Sequence, residues 1–258
     1  MCVAATILAR HNVAPAPAPV FSMHPPGLDV EFRQPQPAPS RVARRALVLA
    51  GLACRGELEA HAADPAAQAI DATVRGWLTS TGLVEAFEAG ERALFDPPLG
   101  ALAPGLAAVA RRSGEAAAVL AWGLGRYRLP AIDCAVEASE VGAALGWLDP
   151  GIGAAIEVAR LRARTDQLLL AEALEVAHWR LASGRSASLV QFGAVRVAGD
   201  TAPLPLAPDG DLLLGGHPAG TAGAATVEAA MQRIHERRRA LNWLAGQAAD
   251  YAAVRVDL

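Results

Sequence analysis

The segment from about Thr226 to Gly246 has the spacing of a helix that is apolar on two opposite sides, and no other feature narrows the fold as much. At about 100° per residue, Val227, Met231, Ile234, Arg238, Leu241 and Ala245 fall on one face. Glu228, Gln232, His235, Arg239, Asn242 and Gly246 form a polar strip beside it. Ala229, Glu236, Ala240 and Trp243 lie on the side away from Ile234. A surface helix needs only one apolar stripe, so a helix with two is expected to be sandwiched between layers of protein. Glu236 is then at least partly buried. A buried carboxylate must be paired, and removing its partner costs roughly 3–5 kcal/mol. Arg162, Arg180 and Arg237 are the candidate partners.

The rest of the chain supplies the layers. Of the 258 residues, 60 are alanine and only 5% are aromatic. Alanine is the best helix former and the smallest core filler, so closely packed helices are expected. The periodicity predicts a mainly α fold, a bundle of about seven helices with a small appended β-hairpin. The first helix covers about Val42 to Glu59. The second opens at Asp64-Pro65, an N-cap followed by proline at the first helical position, and carries Ile70, Val74, Trp77 and Leu78 up to a stop at Gly82. A short third helix holds Leu83, Phe87 and Leu94 and ends at Pro97-Pro98. A fourth runs from about Ala107 to Tyr127, where Gly123 and Gly125 suggest close helix approach. Val141, Leu145 and Leu148 mark a fifth, and a long sixth spans about 151–183. Helical character lapses between Ser186 and Gly223. The β-branched run Leu189 to Val197, the turn residues Asp209-Gly210 and the run Leu212-Leu213-Leu214 predict the hairpin there.

Proline is dense between residues 12 and 40, which excludes helix by removing amide donors and fixing φ. Residues 1–40 are therefore read as an extended arm. Residues 41–258 form one helical domain, with 186–223 as a hairpin and loop insertion.

Several function classes are excluded by bulk chemistry. All 23 basic residues are arginine, and the net charge of −3 is spread over interspersed acids and bases, with no basic footprint for nucleic acid. Cys2, Cys54 and Cys134 are scattered and odd in number, so neither a disulfide framework nor a thiolate metal site is expected, and a reducing cytoplasm fits best. No run reaches the roughly 18 apolar residues of a membrane-spanning helix. Nucleotide-binding, zinc-protease and serine-hydrolase motifs are missing, and Gly151-x-Gly153 follows a helix instead of a strand. No metal or cofactor is expected.

What chemistry remains centres on the last two long helices. Glu236 is a candidate acid/base or ligand-gripping group, and His178, beside Trp179, a candidate proton shuttle. Glu172, ahead of His178-Trp179, is a further candidate carboxylate. Arg162 and Arg237 are candidate anion clamps, and Asn242, Trp179 and Trp243 complete the candidate binding set.

Taken in order, a set of short motifs resembles one bacterial family. The set includes Arg45-Ala46, Trp77-Leu78 with Gly82-Leu83, Glu91, and Glu115 with Leu120-Ala121-Trp122-Gly123-Leu124-Gly125 and Leu129-Pro130. It continues with Leu161-Arg162, Glu172, His178-Trp179, and Glu236-Arg237 followed by Ala240-Leu241-Asn242-Trp243-Leu244. The likeness, from about residue 44 to the end, is to the domain of unknown function 4272 family. It implies a mostly helical bacterial domain and no established activity. Family members usually carry histidine after the Glu-Arg pair, where this chain has Arg238.

Two functions are compatible with these residues. The first is a non-catalytic interaction module that binds a protein partner or forms a homodimer, as an adaptor, a secretion accessory or an immunity-type partner. The second is a hydrolase or small-molecule-binding enzyme with a Glu/His/Arg site between the last two long helices. The second requires a cavity beside Glu236 and His178.

Overall fold

The structure, a computed structural model, describes residues 34–183, 204–208 and 210–256. Among these residues it is mainly helical, with a small two-stranded antiparallel sheet. Helix α1 (Pro39–Leu58) forms the centre, and it is buried along almost its whole length from Val42 to Gly56. Its small residues let neighbours approach closely. A Cβ added at Gly56 would lie 2.3 Å from the backbone nitrogen of Arg111, so only glycine fits where α1 meets α4 (Pro104–Gly123).

Helix α2 (Pro65–Ser80) starts as its sequence dictates. The Asp64 carboxylate accepts from the Ala66 amide at 2.8 Å, and Gly82 ends the segment in the left-handed conformation at φ 70°. Val74, Trp77 and Leu78 are buried, Leu78 against Gly51 of α1, whereas Ile70, expected on the same stripe, is 48% exposed. The anticipated third helix is a 3-10 turn (Leu83–Ala86) followed by α3 (Arg92–Phe95), separated by an irregular stretch through Phe87.

Helix α4 is the spine of the bundle. Ala116, Ala117, Ala118, Ala121 and Trp122 are wholly buried, with α1 on one side and α8 (Ala224–Leu244) on the other. Gly123 is a close-approach position, since a Cβ there would meet the Leu244 side chain at 2.7 Å. Gly125 is instead a turn residue with open space around it. Helix α5 (Ala138–Leu145) packs on α1 and α4.

The long helix expected over 151–183 is two helices, α6 (Ile152–Glu157) and α7 (Arg164–Ser183). The interruption has a local cause. The Arg162 amide donates to the Gly123 carbonyl at 2.8 Å and its Nε donates to the Trp122 carbonyl at 2.5 Å, so this segment caps the end of α4 instead of continuing its own helix.

The hairpin consists of β1 (Leu213–Leu214) and β2 (His217–Pro218), joined through Gly215-Gly216. The Leu189 to Val197 run, expected to contribute, lies outside the described residues. A buried bidentate pair fastens the hairpin to α7. Arg180 Nε and its terminal nitrogen each donate to an Asp211 carboxylate oxygen at 2.7 Å, and Asp211 also accepts from the Leu212 and Gly220 amides. Burial alone would raise the Asp211 pKa, but the Arg180 and backbone bonds outweigh it and hold the carboxyl below its usual value.

Helix α8 lies between α4 and α7, as its two apolar sides require. Of the proline-rich arm, residues 1–33 lie outside the described residues. Gln34 to Ala38 run without helix along the body, where the Gln34 amide donates to the Gly246 carbonyl at 3.0 Å and Gln36 donates to Gln167 at 2.8 Å. No described helix is long and apolar enough to cross a membrane.

Candidate functional site

The acid trapped beside a guanidinium on α8 is present, but its members are Glu115 and Arg237. Arg237 Nε donates to Glu115 Oε2 at 2.8 Å, and its terminal nitrogens donate to the carbonyls of Pro130 at 2.8 Å and Cys134 at 3.2 Å. Glu115 Oε1 accepts from the Val136 amide at 3.1 Å. One side chain from α8 thus ties down α4 and the loop over residues 130–136. This is a structural tie, and it leaves Glu236 to a different neighbourhood.

None of the three anticipated arginines bonds to Glu236. Arg162 is engaged with Trp122, lying over its ring at 5.2 Å as well as on its carbonyl, and Arg180 is held by Asp211. Among the described residues the Glu236 carboxyl makes no hydrogen bond or ion pair. It is half-buried and lines a cleft of about 390 Å³. The other walls are Arg112 from α4, His178 from α7, and Glu228, Met231, Gln232 and His235 from α8. The α8 residues recur at three- and four-residue spacing, so successive turns of one helix present them to the same side. Burial raises the Glu236 pKa, partly opposed by Arg239, His235 and Arg112, with Glu115 adding to the rise.

His178 is the second unusual group. Only 4% of it is exposed, and its Nδ1 lies 2.7 Å from a terminal nitrogen of Arg238. A guanidinium can only donate, so Nδ1 accepts and the ring proton resides on Nε2. Burial, followed by the charges of Arg238 and His235, pushes the His178 pKa down to about 4, which keeps the imidazole neutral at physiological pH. Arg238 is itself paired with Glu175 of the same helix as His178. Arg238 therefore fixes the His178 tautomer. Among the described residues His178 Nε2 is sealed from solvent and has no hydrogen-bond partner. An orphaned donor of this kind costs roughly 1–3 kcal/mol.

The remaining sequence candidates are dispersed. Glu172 is exposed on α7, and Trp179 is half-buried there; neither lines the cleft. Trp243 is wholly buried, donates to the Ala249 carbonyl at 3.3 Å and meets the Tyr251 ring edge-on at 5.8 Å, so it belongs to the core. Asn242 is half-buried one turn and more beyond Glu236, outside the cleft. Arg112 was not anticipated, because nothing in the Arg111-Arg112 pair distinguishes one arginine from the other in sequence. Glu228, Gln232 and His235 were legible as a polar strip but not as a wall. Among the described residues, no group of three or more His, Cys, Asp or Glu side chains could hold a metal ion.

No family model, curated protein or solved structure matches this chain. The chemistry of the cleft therefore has to be argued from its own groups. It offers a guanidinium, a neutral imidazole with a fixed proton and an unpaired carboxyl whose pKa burial raises. Such a carboxyl can grip a bound molecule or exchange a proton with it.

Proposed function

We propose that this protein binds a small polar molecule in the cleft between α4, α7 and α8, with Glu236 as the group that grips it or exchanges a proton with it. The observation that carries this reading is the half-buried Glu236 carboxyl without a partner, facing a cavity whose volume falls within the range of small-molecule sites. A structural carboxylate at that depth would be expected in an ion pair, as Glu115 and Asp211 are. Arg238, which holds the neighbouring imidazole in one tautomer, supports the same reading, because preorganisation of this kind serves a ligand more than a fold.

The other reading is a protein-interaction module, and one observation favours it. Leu106 and Val109, one turn apart on α4, are each 43% exposed. Two such side chains are an ordinary amount of exposed apolar surface, so the cleft is the stronger ground. Likeness to domain of unknown function 4272 is compatible with both.

The test is a fragment screen by saturation-transfer NMR on the wild-type chain and on Met231→Trp, which fills the cleft. Fragments that bind the wild type and lose their signal in the variant, at unchanged melting temperature, support the reading. Binding that is indifferent to Met231→Trp, or no binding at all, overturns it.

A further inference from the structure

Resting on that reading, we infer that the cleft selects a neutral ligand carrying a hydrogen-bond acceptor and a donor side by side, a carboxamide or urea. Two observations converge on this class. Arg112 and Glu236 lie close enough for the guanidinium to act on the carboxyl electrostatically, yet no hydrogen bond or ion pair within 4.0 Å joins them. A cation and an anion on facing helices, separated in this way at a shared cavity, are bridged by a group that accepts from one and donates to the other.

His178 stands beside them, more than nine-tenths buried, with its tautomer set by Arg238. Within the cleft the donor comes from Arg112 of α4 and the acceptor from Glu236 of α8. A carboxamide satisfies both sides through its carbonyl oxygen and its N–H.

The second observation is the charge of the walls. A carboxylate or phosphate would have to sit beside Glu228 and Glu236, with Arg112 as the one arginine among the described lining residues. An amidinium or amine would face Arg112. Either net charge meets repulsion, whereas a neutral group with two hydrogen-bonding ends meets none. The Glu228 carboxylate is also partly occupied, since Gln232 donates to it at 3.2 Å.

The experiment uses four probes that share a phenyl ring and differ in head group: benzamide, benzoate, benzamidine and benzyl alcohol. Their dissociation constants are measured by titration NMR on the full chain, with the His178 imidazole resonances as the local readout. Benzamide is expected to bind tightest, by about tenfold over each of the others, and to shift the His178 signals. Arg112→Ala and Glu236→Ala should each remove that tenfold preference, while Glu236→Gln, which keeps an acceptor oxygen, should retain most of it.

Tighter binding of benzoate would show an anion site, and tighter binding of benzamidine a cation site; either overturns the inference. Equal affinities would show that the ring alone is recognised, with the same consequence. If other fragments bind in a way that Met231→Trp abolishes while benzamide does not, the ligand class is wrong and the cleft reading stands. If no fragment is sensitive to Met231→Trp, the cleft reading itself fails.

Discussion

Arg237 on α8 and Glu115 on α4 form an ion pair from which solvent is excluded, with Nε and Oε2 2.8 Å apart. The remaining hydrogen-bonding capacity of both groups is largely taken by the backbone of residues 130–136. The pair therefore locks three parts of the chain together, and removing one partner leaves the other charged in a dry environment.

Arg237→Met or Glu115→Leu should each destabilise the fold by about 3–5 kcal/mol in urea denaturation. The double substitution should cost less than the sum of the two. Additive losses would mean that the two groups act independently.

The pH dependence of stability carries the signature of His178. Its pKa falls from 6.5 to about 4 on folding, so the unfolded chain binds an extra proton between those values. The stability from keeping the ring neutral is present above pH 6.5 and is lost as pH drops toward 4, an effect on the order of 3 kcal/mol. His178→Asn should flatten this part of the profile in denaturation measured at intervals of half a pH unit.

Glu236 acts in the opposite sense. Burial raises its pKa, so its contribution is present at low pH and is lost as pH rises through the folded value. Glu236→Gln is uncharged throughout. It should match or exceed the wild-type melting temperature at pH 8, with the difference shrinking toward pH 4, a gain of roughly 0.5–2 kcal/mol. A loss of stability at pH 8 would mean that the carboxylate is a structural group after all.

Much of the fold was legible in sequence because it rests on local rules. The Asp64-Pro65 start, the Gly82 stop and the two-sided α8 all follow from capping and periodicity, and all are present. The division of the 151–183 segment was not legible. It is imposed by Arg162 reaching the end of α4, a contact made across about 40 residues of chain. The site shows the same boundary. Glu236 and His178 stood out through burial and neighbours on their own helices, but the arginine that completes the cleft comes from α4. Trp243 and Arg237 looked like binding residues because charge and indole alternate along α8; the structure turns both inward.

The Arg180–Asp211 clamp makes a separate prediction about the hairpin. Asp211→Ala leaves Arg180 buried without its bidentate partner and releases the Leu212 and Gly220 amides. Hydrogen exchange at Leu212, Leu213 and Ala219 should accelerate by at least tenfold, with α1 and α4 unaffected. Uniform acceleration across the chain would show that the hairpin is integral to the bundle.

The run of methyl-sized side chains through the middle of α4 has a consequence for how this molecule can vary. With Ala116, Ala117, Ala118 and Ala121 fully enclosed and Gly56 pressed on the neighbouring backbone, there is no spare room along the central axis. Any gain of volume on one side of that axis must be answered by a loss on the other. Variation at residues 46–56 should therefore track variation at residues 110–123 as compensating pairs, a pattern to be read in an alignment of related chains.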